Sequence, residues 1–202
     1  MTAMNWWEQS VSANLSKVSF LANLALRLFL APIFIMAGSK KLANMDSTIA
    51  WFGNHEWGLG LPFPEILGWS VALLEYAGGF LILLGLATRV IALLLFVTMI
   101  VAAFTAHWAN GWQMIADPSW FGVNDRVAES AQKLAKARDI LRDHGNYRWL
   151  TSSGTIVILN NGIETAINYA VMLLALVKLG AGRWISIDYW IKQGLVRKHE
   201  VS

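Results

Sequence analysis

Cysteine is absent from this 202-residue chain, which excludes disulfides, thiolate zinc sites, cysteine-held iron–sulfur clusters, thioether-attached haem and any dithiol relay. Cysteine usage therefore carries no information on redox compartment. Charge is scarce as well: 14% of residues are Asp, Glu, Lys or Arg, against about 25% in an ordinary soluble domain. With 56% hydrophobic residues and a mean hydropathy of +0.47, the composition excludes a disordered tail or a basic nucleic-acid-binding arm. The formal net charge is only +3 and the sixteen Lys and Arg residues are scattered, so nucleic acid is not an expected partner. A nucleophile elbow, a phosphate-binding glycine loop and a dinucleotide fingerprint are also missing. A water-soluble domain of this length would have to hide an unusual amount of apolar surface. A lipid bilayer is the simpler solvent.

What the chain does have is long apolar runs. A hydrocarbon core roughly 30 Å thick needs about twenty apolar residues in helical form, and four runs meet this, at about 20–39, 66–88, 90–108 and 162–180. The first holds Arg27 and Pro32, the second Glu75, the third no formal charge before His107, and the fourth Glu164 and Lys178. None of the eleven tryptophans falls in the middle of a run, as expected if they sit in the headgroup layer. The expected fold is all-α: an integral membrane four-helix bundle over residues 20–190, with a partly helical extramembrane insert at 109–161. Residues 1–19 set Trp7, Val11, Leu15 and Val18 on one helical face, which suits an interfacial leader, and 191–202 form a polar tail. Ile35-Met36-Ala37 before Gly38 imitates a signal-peptide cleavage site, but the run is too long for a signal core and contains Arg27.

Within the insert, Asn124-Asp125 can cap a helix whose apolar positions are Val127, Ala131, Leu134 and Leu141, and Gly145 is a natural stop. Its dense alternating charges read as a solvated face. Thr155 to Leu159 reads either as a helical extension of the fourth run or as a re-entrant piece. Four spans put both termini on one side with Arg89, Arg183 and Lys192, and put Lys40, Lys41 and the cations of the insert on the other. The expected orientation has the termini cytoplasmic, although charges far from span ends weigh little.

A charge inside a span needs a partner or a polar cavity. Antiparallel neighbouring spans bring Arg27 and Glu75 to similar depth, so they form the candidate intramembrane pair, catalytic or structural. Gly68, Ala72, Gly78 and Gly79 around Glu75 permit close helix approach, or leave room for a flat ligand. Asn161, Glu164 and Asn168 recur at helical spacing and align on one face. Together with Lys41 and His107 they define a candidate ligand pocket at the insert-facing end, roofed by the insert and by the loop holding His55 and Glu56. Ordinary polarity at helix ends is the plainer reading of the same residues. The four histidines lack paired ligand spacing, so no metal site is expected. Met36, Met99 and Met172 could offer thioethers to Cu(I) but serve equally as packing.

Arg27, then Gly38-Ser39-Lys40-Lys41-Leu42, Gly60-Leu61-Pro62, Glu75-Tyr76-Ala77-Gly78-Gly79, Gly85 and Thr88-Arg89 follow in an order and spacing that resembles the DoxX family of small four-span membrane proteins. Gly180-Ala181-Gly182-Arg183 with Ser186 and Asp188 is similar to the family's close. Gly145 to Thr151 and Asn160 to Glu164 resemble a narrower, HvfX-like branch, associated with gene clusters that make modified copper-binding peptides. The resemblance implies an inner-membrane protein linked to quinone or sulfur redox systems, often an accessory subunit, with Lys41, Glu75 and Glu164 as motif residues. The expected function is a redox accessory that binds a quinone-like ligand, with soluble or membrane redox proteins as partners; Cu(I) is the weaker ligand candidate. The alternative is a non-catalytic scaffold or maturation partner for a modified peptide or its enzymes.

Overall fold

The computed structural model describes the backbone of residues 3–120 and 123–201 and the side chains of residues 20–120 and 123–196. The expected apolar face of Trp7, Val11, Leu15 and Val18 lies outside the described side chains. The chain divides into two compact units, Met1–Thr98 with Tyr169–Ser202, and Met99–Asn168.

The first unit is built on α1 (Ala3–Ala43), α2 (Met45–Gly53), α3 (Pro64–Leu84), the start of α4 (Thr88–Ala102), most of α8 (Glu164–Leu179) and α9 (Ile187–Val201). Pro64 opens α3, where a missing N–H costs nothing, and Gly85 closes it in the left-handed conformation at φ 70°. The Gly85 and Leu86 N–H groups then cap the carbonyls of Ile82 and Leu81. Two glycines let α1 and α3 touch backbone to backbone. A Cβ on Gly38 would lie 2.4 Å from the Tyr76 nitrogen, and one on Gly79 would lie 2.9 Å from the Ile35 nitrogen. Gly78 instead faces Ile91 and Leu95 of α4. Gly38, Gly78 and Gly79 therefore bring neighbouring helices together on either side of Glu75. Leu30, Ala31, Phe34, Ala72, Ile82, Ala92, Leu95, Leu173 and Leu176 form the buried core, and Phe34 meets Tyr169 edge to face at 6.4 Å.

Among the described residues, three helices are long and apolar enough to cross a membrane: Phe20–Ala43, Pro64–Leu84 and Thr88–Asn110. In the apolar 18-residue stretch of each, only 28%, 33% and 17% is buried inside the protein. Leu28, Phe29, Leu73, Phe80, Leu94 and Val97 stay exposed on them, which water would penalise at about 1.5–3 kcal/mol for each large apolar side chain and lipid would not. Helix α8 is 16 residues long, or about 24 Å at about 1.5 Å per residue, so the fourth apolar run is the shortest helix of the set.

The second unit begins with a π-helical turn, Ala103–His107, followed by a 3-10 turn, Trp108–Asn110. The helix expected from Asn124 forms with a break at Glu129, as α5 (Asp125–Ala128) and α6 (Ser130–His144). Asn124 Oδ1 caps it by accepting from Val127 N at 3.2 Å, and Gly145 ends it. The short α7 (Tyr147–Leu150) is capped by Asn146 in the same way. Residues 155–159 are not the helical extension of the fourth run, which was one of the two expectations. They run extended, and Ala116 N donates to Ile158 O at 3.0 Å beside an isolated antiparallel bridge between Ile115 and Leu159.

Candidate functional site

Glu75 occupies the middle of α3 with only 3% of its surface exposed. Lys41, in the last turn of α1, donates its ammonium to Glu75 Oε2. The contact follows from the Gly38 crossing, which sets Lys41 one turn beyond the point where α1 meets Ala72 and Tyr76. The lysine side chain is 25% exposed, so its head reaches toward the helix end while the carboxylate stays inside, an arrangement typical of a snorkelling lysine. One charge-assisted hydrogen bond offsets part of the carboxylate's desolvation. Among the described residues, Glu75 Oε1 has no hydrogen-bond partner.

Arg27 does not meet Glu75. Its guanidinium, 2% exposed, donates to four backbone carbonyls: Nε to Ile82 at 2.8 Å, Nη2 to Leu83 at 2.6 Å, and Nη1 to Ala181 at 2.9 Å and Ile185 at 2.6 Å. The expected Arg27–Glu75 pair fails on axial register. The arginine reaches the C-terminal carbonyls of α3, seven residues and about 10 Å along the axis from Glu75. Those carbonyls are the orphans that every helix end leaves, and a cation is the natural partner for them. Asp188 completes the junction. Its carboxylate accepts from Ala87 N at 2.7 Å and Thr88 N at 3.0 Å, capping α4, and its own N–H donates to Gly85 O at 2.9 Å. The Ser186 hydroxyl donates to Gly182 O at 2.9 Å. Asp188 had no role assigned from sequence, because its partners lie about a hundred residues away; for it and for Ser186, their place in the closing motif was the only available signal.

Lys41 belongs to the first unit, whereas His107, Asn161, Glu164 and Asn168 belong to the second. Within the second unit, His107 and Asn161 do come together: the ring Nδ1 lies 3.0 Å from Asn161 O, which also accepts from Asn110 Nδ2 at 3.0 Å. Donation from Nδ1–H leaves Nε2 of the neutral ring as the acceptor. Glu164 Oε2 accepts from Met114 N at 2.9 Å. Asn160, named from sequence only within the branch motif and given no role there, ties the layer together by donating to Asn110 O at 2.7 Å and Gln113 O at 2.9 Å. The expected helical stripe does not form as such. Asn161 precedes α8 in a left-handed conformation, φ 59°, and Asn160, Asn161 and Gly162 donate their N–H groups to Met114 and Gln113 carbonyls. Asn168 is exposed on α8. His55 and Glu56 are exposed in the first unit, where Leu59, Gly60 and Leu61 N–H groups close their loop onto the end of α2. Among the described residues no group of three His, Asp or Glu could hold a metal ion.

Residues 22–108 match the family model described as DoxX. "Putative oxidoreductase CatD" of Bacillus subtilis (strain 168) is 35% identical over 85 residues, which is 42% of this chain and 59% of that protein. The chain thus spans a little over half the length of this relative. No solved structure matches. The DoxX match takes in Arg27, Lys41, Glu75 and His107 and stops short of the insert, Glu164 and Asp188. With the three apolar spans it makes this a membrane protein carrying a DoxX-like segment.

Proposed function

We propose that this chain is a DoxX-type redox accessory of the membrane in which Glu75 and Lys41 hold the polar head of a quinone-like ligand. The observation that carries the reading is the state of the Glu75 carboxylate: buried inside an apolar helix pair, one oxygen engaged by Lys41, the other unengaged. A quinol hydroxyl can donate to Oε1, and a quinone carbonyl can accept from the Lys41 ammonium. A carboxylate in a low dielectric is a serviceable proton acceptor, so Glu75 can take up one of the two protons that a quinol releases on two-electron oxidation, the second leaving to water at the span end. The electrons then pass to a partner redox protein. Support also comes from the DoxX match and from the relative's description as an oxidoreductase. Arg27 enters as a positioning residue for the α3–α4 turn rather than as a partner of Glu75. Four spans, residence in the inner membrane and cytoplasmic termini belong to the same proposal.

Purification in mild detergent followed by organic extraction tests it. The wild-type chain is expected to carry bound quinone, and Glu75→Gln and Lys41→Gln are expected to lose it while keeping their elution profile. Repeated absence of quinone from the wild type, with no binding of added quinone, overturns the reading. A second reading, a scaffold for a modified copper-binding peptide or its enzymes, draws on the insert, where Trp149 is 71% exposed and Leu150 and Ile140 are exposed as well. Deleting residues 124–144 separates the two, because a scaffold loses its partner while the intramembrane ligand is retained.

A further inference from the structure

We propose that the first unit carries a second site, a cleft that binds the phosphate of an anionic phospholipid headgroup. The cleft has a volume of about 760 Å³ and is lined by the middle of α1, the start of α4, the α8–α9 linker and α9. It is independent of the Glu75 reading.

Three cations line it, Arg89 at the start of α4, Arg183 in the linker and Lys192 on α9. Among the described residues none of the three has an ion-pair partner. The one carboxylate in the lining, Asp188, is already committed to the Ala87 and Thr88 N–H groups. The cleft therefore presents unneutralised positive charge to whatever enters it, and guanidinium forks suit phosphate oxygens in particular.

Its walls are set by the fold. Gly180 and Gly182 take φ 77° and 84°, conformations that side-chain-bearing residues rarely adopt. A Cβ on Gly180 would lie 3.0 Å from Arg89 Nε, and one on Gly182 would lie 3.1 Å from the Asn23 Cβ. The bare linker thus lets the Arg89 guanidinium lie against it. Arg27 fixes the same linker from the other side through Ala181 O and Ile185 O.

Position selects the source of the phosphate. Leu84 ends one membrane span and Thr88 begins the next, and Ala87, Arg89 and Val90 at that turn line the cleft, which places it at span ends, at headgroup level. Trp184 and Trp190, next to it in sequence, are 68% and 63% exposed, as residues of the interfacial belt are. Val90 and Leu179 line the cleft and are themselves exposed apolar side chains, offering acyl chains a path that a soluble phosphate compound would not use.

The test uses the full-length protein in mild detergent, with lipid binding read by native mass spectrometry. The probes are phosphatidylglycerol, phosphatidylcholine and inorganic phosphate. Phosphatidylglycerol is expected to bind in preference to phosphatidylcholine, and equimolar inorganic phosphate is expected not to displace it. Each cation removed is expected to weaken phosphatidylglycerol about fivefold, with Arg89→Gln, Arg183→Gln and Lys192→Gln combined reaching about a hundredfold. Lys133→Gln, Lys136→Gln and Arg148→Gln combined, a loss of three charges in the other unit, are expected to leave binding unchanged. Lys192→Gln alone, at an exposed position, carries the test if the triple variant does not fold. Unchanged phosphatidylglycerol binding in these variants, or equal binding of the two lipids, overturns the proposal. Displacement by inorganic phosphate overturns it in favour of a soluble phosphate compound.

Discussion

Arg27→Leu removes the side chain that ties α1 to both the end of α3 and the α8–α9 linker, and the structure fixes what that costs. Four carbonyls lose a charged donor. The Ile82 carbonyl keeps the Gly85 N–H at 3.0 Å, so its loss is partial. The bond to Ala181 is buried, whereas those to Leu83 and Ile185 are part-buried and water can replace some of their value. Counting about 2 kcal/mol for Ala181 and about 1 kcal/mol each for Leu83 and Ile185 leads to a destabilisation of about 4 kcal/mol. Arg27→Lys keeps the charge but can satisfy fewer acceptors, and about half that loss is expected. Thermal or denaturant unfolding in detergent measures the total. Hydrogen exchange should localise it, with amides of residues 85–88 and 181–188 losing protection first. A loss under about 1 kcal/mol, less than one ordinary buried hydrogen bond, or unchanged exchange at the linker, would refute the reasoning. The register argument is tested by adding Glu75→Gln. Because the two sites share no partner, the double variant should match the sum of the singles to within about 0.5 kcal/mol, and strong coupling would mean that Arg27 and Glu75 do interact.

Lys41→Met strands the buried Glu75 carboxylate, whereas Glu75→Gln strands an ammonium that is already partly exposed, so the first is expected to cost about 3–5 kcal/mol and the second less than half as much; equal losses would contradict the asymmetric burial. Gly38→Val drives a side chain into the backbone of α3 and is expected to cost about 3 kcal/mol or more, while Gly194→Ala, with open space around it, should stabilise α9 by a few tenths to about 1 kcal/mol. Thermal unfolding of both checks the packing. In the insert, hydrogen bonds from the Ser119 hydroxyl and N–H hold the Asp117 carboxyl below the usual carboxylate range. Its folded value is depressed, so the stabilisation is present above the unfolded value and lost as pH falls through the folded one; Ser119→Ala should raise the Asp117 titration midpoint seen by NMR, and an unmoved midpoint would exclude the contact.

The residues that were legible in sequence are those whose role is local. Asn124, Gly145 and the apolar runs announce themselves because an Asn cap, a glycine stop or a hydrophobic span depends on a few neighbouring residues, whereas the stop at Gly85 lay inside a run drawn through to 88. Glu75 and Lys41 were each legible as residues of interest but not as partners, and Arg27 was assigned to the wrong one. A lengthwise slide of four residues between α1 and α3 moves a contact by about 6 Å, and no pattern in either helix alone reports that slide. The stripe of Asn161, Glu164 and Asn168 misled for a related reason. Helical spacing is necessary for a shared helical face, but residues 160–162 had their N–H groups engaged by Met114 and Gln113, and the helix began later.

The missing charge and the long apolar runs, properties of contiguous chain, determined by themselves that this is an all-helical protein of the membrane with isolated charges inside its spans. The tertiary structure alone decided what each of those charges does. Gly38 and Gly79 allow α1 and α3 to touch at one register, that register brings Lys41 to Glu75, and it carries Arg27 past Glu75 to carbonyls 55 and 154 residues away in sequence. Hydropathy is additive along a chain and can be read from it. Pairing depends on where two surfaces make contact, and that is settled only when they pack.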